Sequence, residues 1–429
     1  MQVSNETLNK LLAPYAVPKM VEVAQQFDSS HIHDVEAAVR QELAREEIAA
    51  LMRTIQRDET VAITCGSRGI AHIALVLKTI VDAVKSRGAQ PFIFPAMGSH
   101  GGATAAGQKE LLALYGVTEA SVGAPIKATM ETVVVGKTKT GKSVNIDAFA
   151  ASAHHVIVVN RVKAHTAFTG TYESGLMKMM VVGMGKHVGA IACHDEGFGM
   201  MAKNIPEFAE VVMKKVPILF GVALVENAYE QTCLLKAIPA KSIPSVEPEL
   251  LLYAKSRMGR LLFSSCDILI NDYVGKNISG EGVDPNVTGR VPTPYCAPAF
   301  TAQRMAILDI TDESHGNCYG IGFADVITQR LLDKSDLSSM YINAVTSTVI
   351  PGVKIPMICE NHKRAIQCCI ATCVGINRHA PKLIRIKDTL HVGTILISEA
   401  MLDEAKKNPA LHILGEPKAM HFDEHGNLF

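Results

Sequence analysis

Strand-like and helix-like segments alternate between Val61 and Gly116, and this alternation restricts the fold more than any other feature of the sequence. The run VAITC, from Val61, is followed by AHIALVLKTIVDAVKSRG, whose apolar residues recur at helical spacing up to Gly88. A second strand, PFIF, leads through a glycine-rich turn to a helix with Thr104 as its N-cap and Gly116 as its stop. The order strand, helix, strand, helix predicts a parallel sheet covered by helices on both faces.

Further strand-like runs follow at HVIVVN, PILFGVALV and CDILIND. After them we predict a second α/β section, with the strand MAILDIT, a long helix near FADVITQRLLD and the late strand TILIS. The Pro- and Gly-rich segment GKNISGEGVDPNVTGRVPTPYCAPA separates the two sections. A chain of 429 residues is long enough for two domains. We therefore predict two α/β domains with mainly parallel sheets, residues 1–262 and 263–429, with the active site in the cleft between them.

The charge balance restricts the class of ligand. The chain has 42 basic and 42 acidic residues, so no overall field attracts it to nucleic acid or to an anionic membrane, and a small molecule is the expected partner. No apolar run approaches the roughly 18 residues of a membrane span, and the first residues lack the pattern of a secretory signal. The ten cysteines form no CxxC pair, which is typical of reduced thiols. We expect a cytoplasmic enzyme, and the sequence does not indicate its oligomeric state.

The segment VVVGKTKTGKSVNI contains the spacing G-x-x-x-x-G-K-S of a P-loop, with Lys142 as its lysine. A P-loop needs a helix to begin at that lysine, because the phosphates bind the free N–H groups of the first helical turn. The flanking runs TVVV and VNIDAF are instead typical of strands, so we interpret the segment as a hairpin with a polar turn. A P-loop-type nucleotide-binding enzyme stays an alternative, with Asp267 or Asp272 of CDILIND as its magnesium ligand.

Polar residues with catalytic potential follow several predicted strands, where an open α/β sheet binds its ligands. They are Gly66, Ser67 and Arg68 after the first strand, His100 after the second, Asn160, Arg161, Lys163 and His165 after HVIVVN, and then Lys178, His187 and His194. Singly, each has an ordinary explanation, such as a turn histidine, a lysine extending from a half-buried helix face or a surface ion pair. Together they supply imidazoles that exchange protons near neutral pH and a lysine in apolar surroundings suited to covalent attachment.

The motifs GSHGG, NRVKAHTAFTG and ESGLMKMMVVGMGKHVGA resemble those of the lactate racemase family, over roughly residues 60–200. Enzymes of that family use a nickel-pincer nucleotide, a pyridinium-3,5-bisthiocarboxylic acid mononucleotide tethered to a lysine through a thioamide. The resemblance implies that Lys178 is the tether and that His194 is the nickel ligand, with His187 as the second choice. It also implies that His100 and His165 are the acid/base pair.

The same resemblance implies how substrate and cofactor are held. Arg68 would bind the substrate carboxylate or a cofactor phosphate, with Gly66 and Ser67 beside the cofactor, and Lys276 would add a positive contact from the second domain. Two departures concern the substrate: Cys65 stands where lactate racemases have an aspartate, and SGLMK replaces a glycine-rich run with arginine before lysine. We therefore predict an isomerase, a racemase or epimerase of a 2-hydroxyacid that is lactate-like or larger, with sugar acids included.

Two further interpretations stay open from the sequence. Glycines at 316, 320 and 322 precede a predicted helix after MAILDIT, as in a dinucleotide-dependent dehydrogenase, although the G-x-G-x-x-G spacing is not met. The same histidines would also serve a non-catalytic protein that binds a metal or a ligand without turnover.

Overall fold

The computed structural model describes residues 6–67 and 69–429, without the side chain of Thr346. The strands are β1 (Met20–Gln25), β2 (Thr60–Cys65), β3 (Gln90–Pro95), β4 (Thr132–Lys137), β5 (Ser143–Asp147), β6 (His155–Arg161), β7 (Ile218–Glu226), β8 (Thr232–Pro239), β9 (Ser265–Val274), β10 (Thr301–Ile310), β11 (Val326–Thr328), β12 (Met357–Cys359), β13 (Leu383–Ile386), β14 (Thr394–Ser398) and β15 (Leu411–Ile413). The α-helices are α1 (Glu6–Leu12), α2 (Val35–Ala44), α3 (Glu46–Thr54), α4 (Ile73–Lys85), α5 (Ala105–Leu114), α6 (Glu119–Val122), α7 (Ala148–Ala151), α8 (Leu176–Lys178), α9 (Lys186–His194), α10 (Met201–Lys215), α11 (Ile243–Arg257), α12 (Pro285–Thr288), α13 (Gln329–Asp333), α14 (Leu337–Ser347), α15 (His362–Thr372) and α16 (Leu402–Lys407).

The chain divides into two compact units. The middle of the sequence, Ser29–Met258, forms one of them, which we call the central unit. The residues up to Asp28 and Gly259–Phe429 form the other, which we call the terminal unit. Each unit contains one large sheet with mainly parallel pairing along its core strands.

The central unit is built on a sheet with the strand order β3-β2-β6-β7-β8. The first four strands are parallel, and β8 runs antiparallel to β7. These strands are rich in β-branched and aromatic residues, which favour extended backbone and fill a sheet that is covered on both faces. Ile63, Ile80 and Phe220 are fully buried in its core. The parallel sheet predicted from the alternation of strands and helices is confirmed, and Thr104 caps α5 as predicted by accepting the Gly107 N–H.

The terminal unit contains a sheet in the order β12-β11-β10-β9-β13-β14-β1-β15. The strands from β12 to β13 are parallel, and β14, β1 and β15 are antiparallel to their neighbours. The single cut predicted near residue 262 differs from this arrangement, because the structure places the residues up to Asp28 with Gly259–Phe429. The physical reason is that β1 pairs with β14 on one side and β15 on the other.

The P-loop spacing lies in a β-hairpin, as predicted. Strands β4 and β5 are antiparallel, with Lys137 opposite Ser143, and Gly141 has the positive φ of 87° that a tight turn requires. The Lys142 side chain forms an ion pair with Glu196. No helix begins at Lys142, so the N–H groups that would bind phosphate are absent from this segment of the described chain.

The long helix predicted near FADVITQRLLD is wrong. Val326–Thr328 is strand β11, which pairs in parallel with β10 and β12, and only Gln329–Asp333 is helical. Three consecutive β-branched residues favour the strand. Thr328 then ends the strand and caps α13, because its hydroxyl accepts the Leu331 N–H at 3.1 Å.

Within residues 6–67 and 69–429, no single helix is long and apolar enough to cross a membrane. One bent pair, Leu176–Gly183 followed by Lys186–His194, reaches the necessary length and composition only when both parts are combined, and the two parts meet at 109°.

Candidate active site

Loops of the central unit leave its sheet at the carboxyl ends of β2, β3, β6 and β7. The buried carboxylate of Glu226, at the end of β7, connects two of the other loops. It accepts the Ala71 N–H, after β2, at 2.7 Å, and it forms an ion pair with Arg161 at the end of β6. A buried carboxylate is stable only with such partners. Parallel pairing therefore brings the loops that follow these strands to one edge of the sheet, where α/β proteins bind ligands.

Lys178 and His165 are in direct contact. The Lys178 Nζ lies 2.5 Å from His165 Nε2, and the other ring nitrogen, Nδ1, accepts the Ala167 N–H at 2.9 Å. A neutral imidazole carries one N–H proton. Because Nδ1 accepts a hydrogen bond, the proton of the neutral ring lies on Nε2. Lys178 can accept that hydrogen bond through its lone pair when its amine is deprotonated. The deprotonated amine is the nucleophilic form of lysine.

The loop that carries His165 is anchored by Glu173. This buried carboxylate accepts the His165 N–H at 2.7 Å and the Gly170 N–H at 3.1 Å. It also pairs with Lys255, from α11, at 2.7 Å. Because both oxygens have partners, the charge is satisfied and the backbone on both sides of the loop is fixed.

The helix that carries Lys178 starts with α8 and continues as a π-helical turn, Met179–Gly183. Glu247, from α11, accepts the Met177 N–H at 2.9 Å, at the helix end where free N–H groups need acceptors. A β-carbon at Gly175 would collide with this carboxylate, so glycine makes room for it. Burial raises the pKa of Glu247 to about 7.

We expect Glu247 to make the stability of the fold depend on pH. Its pKa of about 7 in the folded chain exceeds the ordinary value of 4.5, so the folded state retains a proton that the unfolded state loses. The stabilisation is therefore complete below about pH 4.5 and falls as the pH rises towards 7. Glu247→Gln should remove roughly 3 kcal/mol of this pH dependence. Urea unfolding of both proteins across this pH range measures the difference, and two parallel profiles would contradict the assignment.

His194, at the end of α9, has the geometry of a metal ligand. Its Nδ1 donates to the Ala190 carbonyl at 2.7 Å, which leaves the lone pair of the neutral ring on Nε2. Burial, followed by the positive charge that Lys178 carries when protonated, lowers its pKa to about 4. The Phe198 ring lies 5.4 Å from the His194 ring and 5.9 Å from the His165 ring, so one aromatic side chain contacts both histidines. A neutral imidazole with a fixed tautomer is the form that binds a metal ion.

His100 lies on the loop after β3, and its side chain is exposed. The ring Nδ1 lies 2.6 Å from the Met97 carbonyl oxygen and donates to it, so Nε2 is the basic nitrogen of the neutral ring. This loop packs against the helices that carry Lys178 and His194. A β-carbon at Gly98 would lie 3.5 Å from the Val182 carbonyl oxygen and from Ala190 Cβ.

The loop after β2 contacts the same helix. A β-carbon at Gly66 would lie 3.1 Å from Met179 Cε, and the Ser67 carbonyl accepts the Tyr115 hydroxyl at 3.0 Å. Arg68, predicted to bind the substrate carboxylate or a cofactor phosphate, lies outside the described residues.

Lys276 belongs to the terminal unit, where it follows β9. Its Nζ donates to the Gly280 carbonyl at 2.6 Å and lies 4.2 Å above the Tyr319 ring. Burial, and then the charge of Glu281, raises the pKa of Tyr319, so this ring stays an uncharged phenol beneath the cation.

His187, the second choice for a nickel ligand, lies at the start of α9. Its Nδ1 is buried without a hydrogen-bond partner among the described residues. In the same part of the chain, no group of three or more His, Cys, Asp and Glu side chains has the arrangement to hold a metal ion by itself.

The acidic residues proposed for magnesium in the nucleotide interpretation have other partners. Arg385 binds both oxygens of Asp272, at 2.8 and 2.9 Å. Asp267 accepts the Lys382 N–H at 2.8 Å. Both carboxylates therefore serve structural contacts in the terminal unit.

The glycines proposed for a dinucleotide have a packing role. A β-carbon at Gly320 would collide with the Glu281 carbonyl, and one at Gly322 would collide with the Pro351 carbonyl. Gly316, with a φ of 79°, forms a turn. These positions bring protein backbone close to protein backbone, which explains the glycines without a phosphate.

Sequence reasoning missed the acidic residues that hold the site, Glu173 and Glu247. Glu173 directly precedes SGLMK, and an acidic residue before an apolar helix was a usable signal. Glu247 lies 70 positions after the backbone group that it caps, and no local spacing reveals a contact at that distance.

A protein-family model matches part of this chain. The model of the lactate racemase N-terminal domain matches residues 10–203. The apoprotein of the lactate racemase from Thermoanaerobacterium thermosaccharolyticum aligns in structure with a TM-score of 0.49 at 11% identity, over 87% of this chain and 99% of that one. No curated protein sequence is significantly similar to this chain.

Proposed function

We propose that this chain, whose residues 10–203 match the model of the lactate racemase N-terminal domain, is a member of that family and a racemase or epimerase of a 2-hydroxyacid. The observation that carries the proposal is the contact between Lys178 and His165, together with the Phe198 ring, which lies against the rings of both His165 and His194. The amine that we propose as the tether thus lies in one cluster with the imidazoles that we propose for acid/base chemistry and for metal binding.

The donor set of this cluster fits a nickel-pincer nucleotide. Lys178, once deprotonated, supplies the lone pair that an amide-type linkage to a carboxylic or thiocarboxylic group requires. His194 offers a single imidazole, and a soft sulfur set completed by imidazole suits nickel. We propose that Lys178 holds the group covalently and that His194 supplies the nitrogen ligand. When bound, the group would accept a hydride from the substrate's C2 and return it to either face.

The two remaining histidines hold protons in complementary positions. His100 donates from Nδ1 to the Met97 carbonyl and is basic at Nε2, whereas His165 accepts at Nδ1 and carries its proton on Nε2. In the proposed mechanism one ring takes the hydroxyl proton of the substrate as C2 is oxidised, and the other ring gives a proton to the oxygen when C2 is reduced on the opposite face. A base and an acid present together allow either enantiomer to enter.

Cys65 bears on the substrate. Its side chain is buried, and burial raises its pKa to about 12, so the thiol stays protonated and uncharged near neutral pH. The position therefore lacks the negative charge that an aspartate would supply, and we propose a 2-hydroxyacid other than lactate, with sugar acids as the first class to test. The assignments of Arg68 and Lys276 to substrate binding stay predictions.

Turnover of single enantiomers tests this function. The protein is co-expressed with a cofactor-synthesis system, and each enantiomer in a series from lactate to sugar acids is followed by chiral chromatography. We expect one substrate to reach the mixture of both configurations at C2. Tight binding of a hydroxyacid without any inversion, by protein that carries the cofactor, would instead favour a binding protein.

The choice between His194 and His187 gives a separate prediction. In His194→Ala we expect the adduct on Lys178 to form while bound nickel falls to a small fraction of the wild-type content, because the nitrogen ligand is lost. His187→Ala is the matched control and should keep its nickel. Metal analysis of both purified proteins measures this, and nickel lost from His187→Ala alone would reverse the assignment.

A further inference from the structure

Lys186 is a buried lysine at a strained backbone position. Its side chain is fully buried, and its φ of 53° lies in the left-handed region that favours glycine. It begins α9, shortly after the π-helical turn that follows Lys178. A buried cation and a strained backbone both cost stability, and such strain persists where surrounding contacts determine the conformation.

The surrounding contacts are polar and fully enclosed. Lys186 Nζ donates to the Pro95 carbonyl at 2.8 Å and to Gln108 Oε1 at 2.5 Å, and it lies 3.6 Å from Asp147 Oδ2. Two of the three partners are neutral acceptors at hydrogen-bonding distance, and the carboxylate is the most distant. The lysine therefore does more than neutralise Asp147: it orients the amide of Gln108.

Gln108 connects Lys186 to the loop that carries His100. Its side chain is fully buried on α5, and its Nε2 donates to the Gly98 carbonyl at 2.9 Å and to the His100 carbonyl at 3.2 Å. Because Lys186 occupies the amide oxygen, the amide nitrogen faces these two carbonyls in only one of the two amide orientations.

We propose that Lys186 is a positioning residue that acts through Gln108 to fix the loop of His100 on the helices that carry Lys178 and His194. The chain of contacts runs from the turn between those helices, through one side chain, to the backbone carbonyl of His100 itself. The catalytic consequence rests on the proposed function, whereas the rigidity of the loop does not. Precise placement matters because an error of about 1 Å in a reacting group can cost about 100-fold in rate.

Gln108→Glu tests the link while keeping the acceptor for Lys186. The variant replaces the donor to Gly98 and His100 with a carboxylate oxygen, which repels both carbonyls, and its charge is paired with Lys186. Gln367→Glu is the matched control, since Gln367 is also buried, accepts from Arg364 and donates to the Tyr15 carbonyl.

Hydrogen exchange of the unloaded proteins is the first readout. The N–H groups of His100, Ala103 and Thr104 are hydrogen-bonded within the loop, so their exchange reports on its order. We expect Gln108→Glu to exchange at least about tenfold faster there, with residues 176–194 unchanged, and Gln367→Glu to match the wild type in both segments. Unchanged protection of the loop in a folded Gln108→Glu protein would overturn the proposal. If Gln108→Glu does not fold, Gln108→Met, which lacks the charge, takes its place with the same expected outcomes.

Turnover of the loaded proteins is the second readout. Gln108→Glu should lower kcat by about 10–100-fold, and it should cause no further loss in a His100→Ala background, because the effect acts through His100. An equal loss in both backgrounds would overturn the catalytic role. If the loop loosens but no hydroxyacid is turned over even by the wild type, the proposed function fails while the positioning of the loop stands.

Discussion

Lys178→Ala protein, co-expressed with a cofactor-synthesis system, should gain no mass and show no racemase activity. The amine is the only group of the site proposed to form a covalent bond, so its removal leaves nothing to tether the nucleotide. The fold should be retained, because the helix around Lys178 is held by the Glu247 cap and by buried methionines. Intact-mass spectrometry and chiral chromatography of the same preparation measure both losses.

The control for this variant is Lys142→Ala. Lys142 belongs to the same unit and is paired with Glu196 in the hairpin, so its removal should leave both the adduct and turnover at wild-type levels. Lys178→Arg, which supplies a cation but no nucleophilic amine, should behave like Lys178→Ala. A Lys178→Ala protein that is fully active would remove the tether from the account.

Replacing either acid/base histidine should give the second largest effect. We expect His100→Ala and His165→Ala each to lower kcat by roughly 10²–10⁴-fold, the range for general acid/base groups, with nickel content close to that of the wild type. His155→Ala is a matched control. His155 lies at the start of β6, the strand whose other end leads to His165, and its ring pairs with Glu59. If both catalytic variants lost nickel in proportion to activity, the division between proton transfer and metal binding would be wrong.

Much of the central fold was predictable because its signals are local. Helical spacing from Ile73 to Lys85 and the β-branched runs on either side determine a strand–helix–strand unit without reference to distant residues. The hairpin around Lys142 was predictable for the same reason, since a P-loop requires a helix that the flanking residues disfavour. The failure at Val326–Thr328 arose where leucines after the strand extended a helical pattern backwards into it.

The rest depends on contacts that the sequence does not encode locally. Strand β1 lies between β14 and β15 and pairs with both of them across most of the length of the chain. No local pattern indicates such a distant pairing, so the sequence alone predicts a single boundary near residue 262. The same holds within the site. Lys178 and the histidines stand in recognisable motifs. Gln108, which contacts the His100 carbonyl, and Glu247, which contacts the N–H of the residue before Lys178, lie on helices with no motif of their own.

The attachment of a cofactor to Lys178 is the central claim, and the mass of the wild-type protein tests it most directly. The protein is co-expressed with a cofactor-synthesis system, weighed intact, digested and mapped, and its nickel is measured beside a lactate racemase prepared in the same way. We predict one added nucleotide on the peptide that contains Lys178, together with bound nickel. Unmodified protein beside a loaded control racemase would contradict the account.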